Sequence, residues 1–167
     1  MLATFTIAVL VLTSIALFGF GVNLLYLTWR ATRIRPRQSH ALVAKDEPNV
    51  CVQVPIYNER YVAERVLDAV CVLDWPSDRF EVQVLDDSDD DTTSIVARRA
   101  AYWRRKGINI TQVRRGSREG FKAGALAHGM ALTDSPFIAI FDADFVPPLD
   151  FLRRTMSVFA EESVGFV

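Results

Sequence analysis

From Leu2 to Trp29 the chain runs for 28 residues without an Asp, Glu, Lys, Arg or His. A helix rises about 1.5 Å per residue and needs roughly 20 apolar residues to cross a hydrocarbon core of about 30 Å, so this stretch can span a bilayer with length to spare. A cleaved signal peptide would show a basic leading region, a shorter apolar core and small residues at a cleavage site. None of these is present, and the segment reads as an uncleaved anchor. Arg30, Arg33, Arg35 and Arg37 follow at once; the positive-inside bias puts such a cluster on the cytoplasmic side, with Tyr26 and Trp29 at the interface. The expected division is a transmembrane helix over 1–29, a basic juxtamembrane linker over 30–48 and one polar domain over 49–167, facing the cytoplasm, with the lipid bilayer as a partner.

All 19 basic and all 20 acidic side chains lie in the 138 residues from Arg30 onward. That length buries a core for one domain and is short for two. The net charge of -1 argues against a nucleic-acid partner, which calls for a basic excess, and recurring hydrophobic runs argue against disorder. Cys51 and Cys71 belong to no CxxC or Cys/His cluster and read as reduced, structural residues.

Strand and helix signals alternate through the polar part. Asn49–Pro55 is a valine-rich strand, followed by Val62, Val66, Ala69, Val70 and Leu73 on one helical face. Glu81–Leu85 is a second strand; Val96, Ala100 and Trp103 mark a second helix, with Asp91 to Thr93 as candidate caps. Ile108–Val113 is a third strand, Ala123, Leu126, Ala127 and Met130 fit a third helix, and Pro136–Phe141 is a continuous apolar strand. Helices between successive strands imply an α/β fold with a mainly parallel, Rossmann-like sheet covered on both faces. In such sheets ligands bind outside the carboxyl ends of the strands, where this sequence puts its acids.

Four constellations carry chemistry. Asp142-Ala143-Asp144 directly follows the last apolar strand. Two carboxylates delivered there need a partner, and hard oxygen donors suit Mg²⁺ or Mn²⁺, with Mg²⁺ commonly held by one or two carboxylates plus substrate phosphates. The run Asp86-Asp87-Ser88-Asp89-Asp90-Asp91 also follows a strand; it lacks the glycine and the terminal Glu of an EF-hand loop. Asp86 and Asp87 read as recognition groups accepting hydrogen bonds from a ligand, and the later acids as solvated or as company for the positive end of the next helix. Pro55-Ile56-Tyr57-Asn58-Glu59 ends the first strand, with Asn58 an ordinary N-cap candidate and Glu59 an ordinary first-turn acid. Gly116 to Gly124 places spaced glycines and two cations, Arg118 and Lys122, before a helix, where backbone N–H groups and the lysine can hold a diphosphate. It is neither GxGxxG nor a P-loop, and taken alone such a loop is more often only a turn.

Val54-Pro55-Ile56-Tyr57-Asn58-Glu59, Val84-Leu85-Asp86-Asp87-Ser88, Lys122-Ala123-Gly124-Ala125-Leu126 and Phe141-Asp142-Ala143-Asp144, in that order, resemble the nucleotide-sugar half of a family 2 glycosyltransferase. More narrowly they resemble the cellulose synthase-like and glucomannan synthase-like processive enzymes, a likeness shared by Trp75-Pro76-Ser77-Asp78-Arg79 and running from about Asn49 to Val167. The resemblance implies a GT-A fold, and a membrane-anchored, inverting hexosyltransferase that moves a hexose from a nucleotide-sugar donor, UDP-glucose or GDP-mannose, to a growing β-glycan, the polysaccharide acceptor. It implies that Asp87 with Asp86 contacts the nucleoside, Lys122 the diphosphate, Asp142 and Asp144 the ribose, diphosphate and metal, and that Tyr57 and Glu59 line the nucleotide pocket. Such enzymes sit in inner, plasma or Golgi-type membranes. The family's general base, commonly in Thr-Glu-Asp, and its Gln-x-x-Arg-Trp acceptor motif follow DxD and do not occur here; the expectation is a donor-binding half, inactive alone, with the base beyond Val167.

Two other readings stand beside it. A haloacid dehalogenase-type phosphotransferase would make Asp142 a nucleophile, although its motif usually opens the domain and only 23 residues follow Asp144. A receiver-like Mg²⁺-binding signalling domain would account for paired acids after a strand, but gives no part to the later DxD or to the Lys122 loop.

Overall fold

The computed structural model describes residues 2–33, 47–160 and 164–167; Arg35, Arg37 and most of the expected linker lie outside them. The chain forms two compact units, 1–38 and 39–167.

The first unit is one helix, α1 (Leu2–Arg33), a turn longer than the uncharged run. It is long and apolar enough to cross a membrane, with a mean hydropathy of 2.3 over its best 18 residues. Its side chains are almost all exposed. Thr6, Thr13 and Thr28 donate their hydroxyl hydrogens to the carbonyls of Leu2, Val9 and Leu24, four residues earlier, which pairs these three hydroxyls within the helix itself. Arg33 stacks over Trp29 at 5.1 Å.

The second unit is an α/β sheet of four parallel strands, β1 (Val50–Ile56), β2 (Phe80–Asp86), β3 (Asn109–Val113) and β4 (Phe137–Ile140), in the order β3-β2-β1-β4. Between and after them come α2 (Ala63–Cys71), α3 (Thr92–Arg105), α4 (Phe121–Met130) and α5 (Phe151–Met156). Alternation of side chains along the strands splits the sheet into two unlike faces. Val50, Val52, Val54, Ile56, Val82, Val84 and Ile110 point to one side. There they form the core with Val66, Leu67 and Val70 of α2, Val96 and Ala100 of α3, and Leu152 and Met156 of α5. The other face carries Gln53, Gln83 and Leu85 beneath α4. Gln53 and Gln83 are paired across β1 and β2, the Gln53 amide donating to Gln83 Oε1 at 3.0 Å.

Three expectations need correction. The expected face of the third helix, Ala123, Leu126, Ala127 and Met130, is not what packs: Ala125 and Gly129 are buried while Ala123, Ala127 and Met130 are exposed. A Cβ on Gly129 would come within 2.7 Å of Gln53 Nε2 and Leu85 Cδ2, so the helix approaches the sheet through its smallest residues. Among the described residues the strand ahead of DxD pairs with β1 alone, and it is half-buried to exposed rather than enclosed. Asn58 does not cap α2; it takes a left-handed backbone (φ 55°), which Asn tolerates better than most residues. It exchanges hydrogen bonds with Asp89, its amide donating to Asp89 Oδ1 (2.7 Å) and its Oδ1 accepting from Asp89 N–H (3.1 Å).

Residues just ahead of Asn49 touch the sheet unit. The Trp75 indole donates to Pro48 O (3.1 Å) and Arg79 to Glu47 O (2.5 Å), and Arg153 pairs with the Glu47 and Asp74 carboxylates. Cys51 and Cys71 are free and buried. Burial pushes both thiols up to about 12, as fits inert core residues.

Candidate functional site

In a parallel sheet all strands deliver their carboxyl ends to one edge, and the crevice opens where strand order reverses. Here β1 leads to β2 and β3 on one side and β4 returns on the other, so the switch point lies at β1. At that edge Pro55, Ile56, Tyr57, Glu59, Leu85, Asp87, Arg118, Lys122 and Ala125 line a cavity of about 250 Å³. The floor is apolar and the rim charged, the usual make-up of a small-molecule site.

Asp87 follows β2 and is held by Arg115, which is tied to it at both carboxylate oxygens: Nε donates to Oδ1 at 2.9 Å and Nη2 to Oδ2 at 2.6 Å. Both side chains are largely buried, 9% exposed for Asp87 and 12% for Arg115. The same guanidinium donates to Glu119 O (2.6 Å) and Phe121 O (2.8 Å), so one arginine fastens the end of β2 to the loop that enters α4. Gly124 is required by this closeness, because a Cβ there would meet Glu119 O at 2.1 Å and Arg115 Nη1 at 2.6 Å. The Asp87 amide donates to Ile56 O (3.0 Å), joining the ends of β1 and β2.

Asp86 has a different situation. It is 1% exposed and does not line the cavity. Its Oδ1 accepts from Ser88 N–H (2.9 Å) and its Oδ2 from the Gln112 amide (2.7 Å), so its carboxylate shapes the turn from within.

Lys122 in the first turn of α4 pairs with Asp142, and both are about half exposed. Asp142 and Asp144 are exposed on either side of buried Ala143. Glu59 faces the same group of charges: burial, then Asp144 and Asp142, push its carboxyl above the ordinary range against the opposing pull of Lys122. Three carboxylates thus share the field of one ammonium, an excess of negative charge that a divalent cation would relieve. Among the described residues no three His, Cys, Asp or Glu side chains lie close enough to form a complete metal cage.

The residues expected from sequence therefore gather at one edge: Tyr57, Glu59, Asp87 and Lys122 on the cavity, with Asp142 joined to it through Lys122. Sequence reasoning gave no part to Arg115 and no separate part to Arg118, whose guanidinium carbon stands 3.2 Å from the centroid of Tyr57. The only signal for either was its place beside the glycine-rich loop.

The family model for glycosyl transferase family 2 matches residues 51–167. Among curated proteins the chain is 48% identical over 120 residues to glucomannan 4-beta-mannosyltransferase 1 of Oryza sativa subsp. japonica, covering 70% of this chain and 23% of that protein. It is 50% identical over 113 residues to the probable glucomannan 4-beta-mannosyltransferase 15 of Arabidopsis thaliana, covering 65% and 21%. The chain thus spans less than a quarter of the length of these relatives. Among solved structures it is similar to the mannosyltransferase PcManGT of Pyrobaculum calidifontis, in complex with GDP-Man and Mn²⁺. That likeness has a TM-score of 0.72 and 34% identity, covering 87% of this chain and 42% of that one. The fold is also shared with TarS of S. aureus in complex with UDP-GlcNAc, with a TM-score of 0.57 and 24% identity, covering 68% and 31%.

Proposed function

Because the chain belongs to glycosyltransferase family 2, we propose that its sheet edge binds a nucleotide-sugar donor, GDP-mannose in preference to UDP-glucose, and that the protein containing it transfers the hexose with inversion to a growing β-glycan. The observation that carries this reading is that Asp87, Glu59 and Lys122 line one cavity, Lys122 pairs with Asp142, and Asp142 and Asp144 both act on the Glu59 carboxyl. The preference for a mannosyl donor is supported by relatives named as glucomannan mannosyltransferases and by a similar structure that holds GDP-Man.

Each residue has a part in donor binding. The Asp87 carboxylate, fixed in place by Arg115, lines the cavity with acceptor lone pairs left for N–H donors at the edge of a nucleobase. Lys122 supplies an ammonium to the diphosphate at the amino end of α4, a helix of ten residues with no side-chain cap, whose N–H groups and dipole favour an anion there. Asp142 and Asp144 would hold Mg²⁺ or Mn²⁺. Such an ion supplies charge stabilisation to the diphosphate as it departs. With the donor bound, Lys122 exchanges the Asp142 carboxylate for phosphate oxygens. Charge grows on those oxygens as the anomeric carbon–oxygen bond breaks, so an ammonium fixed there stabilises the transition state more than the ground state.

The anchor belongs to the same reading. We assign α1 to a bilayer, with Arg30 and Arg33 at its cytoplasmic end and the donor site on that side, where nucleotide sugars are made. Calorimetric titration of the detergent-solubilised chain with GDP and with UDP, each with Mn²⁺, tests the donor assignment. Saturable binding that favours GDP supports it; tighter binding of UDP overturns the donor preference, and failure of both to bind overturns the nucleotide reading itself.

A further inference from the structure

Three cations surround the cavity, and two are occupied. The Arg115 guanidinium is spent on Asp87 and two carbonyls, and the Lys122 ammonium is paired with Asp142. Arg118 lines the same cavity and, among the described residues, its side chain makes neither a hydrogen bond nor an ion pair. It is held through the π electrons of two rings, its guanidinium carbon 3.2 Å from the centroid of Tyr57 and 5.2 Å from that of Phe121.

Such a hold fixes the guanidinium in place without using its hydrogen-bond donors. An aromatic face attracts the cation electrostatically, while the N–H bonds radiate in the guanidinium plane and stay free at its edge. A planar, cationic fork of open donors is the group best matched to two oxygens of a phosphate. The contact with Tyr57 is too close to admit a nucleobase between ring and guanidinium. The covered face of Tyr57 is therefore a support for the arginine, and what a ligand meets on this wall is the cationic edge.

We propose that Arg118 binds the diphosphate of the nucleotide directly, as a second cation beside Lys122, and that Tyr57 acts as its positioning residue. The inference rests on the nucleotide-binding reading above and deepens it. It assigns Arg118 to the phosphates rather than to the base, and it makes the aromatic ring of Tyr57, not its hydroxyl, the part that matters.

The test compares a nucleoside with its diphosphate on the full chain in detergent with Mn²⁺. Binding of GDP or UDP, whichever the wild type holds more tightly, is measured by titration, and binding of the matching nucleoside by its displacement of a fluorescent diphosphate analogue. Arg118→Ala is expected to weaken the diphosphate about 10- to 100-fold, the loss of a charge-assisted phosphate contact, and to leave nucleoside affinity and the melting temperature of the free protein unchanged. Tyr57→Phe should bind as wild type. Tyr57→Ala should lose diphosphate affinity to a similar degree, and the Arg118→Ala/Tyr57→Ala double variant no more than either alone, since both remove one device. Equal losses for diphosphate and nucleoside would overturn the proposal, as would diphosphate binding unchanged by Arg118→Ala. If the wild type bound no nucleoside diphosphate, the donor-binding reading would fall and this assignment with it; if it bound one normally and Arg118→Ala changed nothing, only this assignment would fall.

Discussion

Asp86 and Asp87 are neighbours in sequence and opposite in surroundings. Asp86 points inward, where Ser88 N–H and the Gln112 amide occupy its oxygens, while Asp87 lines the cavity in the grip of Arg115. Successive side chains at a strand's end point to opposite sides, so two adjacent acids can announce a site without revealing which one faces it. The Arg115 partnership is a long-range matter, 28 residues away in sequence, and depends on the path of the loop into α4. Arg115→Lys is a sharp probe, since lysine keeps the charge and loses the bidentate fork. We expect GDP binding to weaken about tenfold, consistent with roughly 1–3 kcal/mol for a largely buried carboxylate left without its partner. Titration alongside thermal melting reads this, and unchanged GDP affinity would contradict the role given to the pair. The acids were legible because a carboxylate placed directly after an apolar strand stands at the sheet's edge, and Lys122 because it opens a helix behind a glycine-rich loop. Arg115 and Arg118 were not, because a basic residue in a polar loop is ordinarily solvated, and only the fold brings Tyr57 and Asp87 to them.

At the level of elements, the valine-rich strands and the amphipathic α2 were plain in the hydrophobic pattern, and all four expected strands form. The pattern misjudged α4, because it looks for large apolar side chains, whereas this helix is seated by Ala125 and Gly129. A close approach selects for small residues, which carry no hydrophobic signal. Gly129→Ala should accordingly cost about 1–3 kcal/mol, the usual range for overpacking, because its Cβ would intrude on Gln53, Gln83 and Leu85. Chemical denaturation measures this, and a stability equal to or above wild type would refute the packing described. Likewise β4 reads as an interior strand by composition yet among the described residues pairs with β1 alone, since strand order is a property of the whole topology. The most legible element was α1, whose uncharged run is unambiguous at any register. It predicts that the chain stays in the membrane pellet after alkaline carbonate washing; release into the supernatant would rule out a spanning anchor.

At the scale of the molecule, the parallel sheet brings four short motifs, scattered over some ninety residues, to one edge. Each motif follows a strand or opens a helix at the same edge, and the reversal of strand order at β1 opens the crevice between them. This arrangement is why the order of the motifs carried more information than any single one. The donor-binding chemistry requires that the acids after β4 and the cations at the start of α4 meet a diphosphate together. Electron–nuclear double resonance on the full chain loaded with Mn²⁺ and GDP measures that meeting directly, through the coupling between the manganese electron spin and ³¹P. The account predicts a phosphorus coupling characteristic of phosphate oxygens bound to protein-held Mn²⁺, lost in Asp144→Asn. Bound GDP and bound Mn²⁺ without phosphorus coupling, or a coupling indifferent to Asp144→Asn, would contradict it.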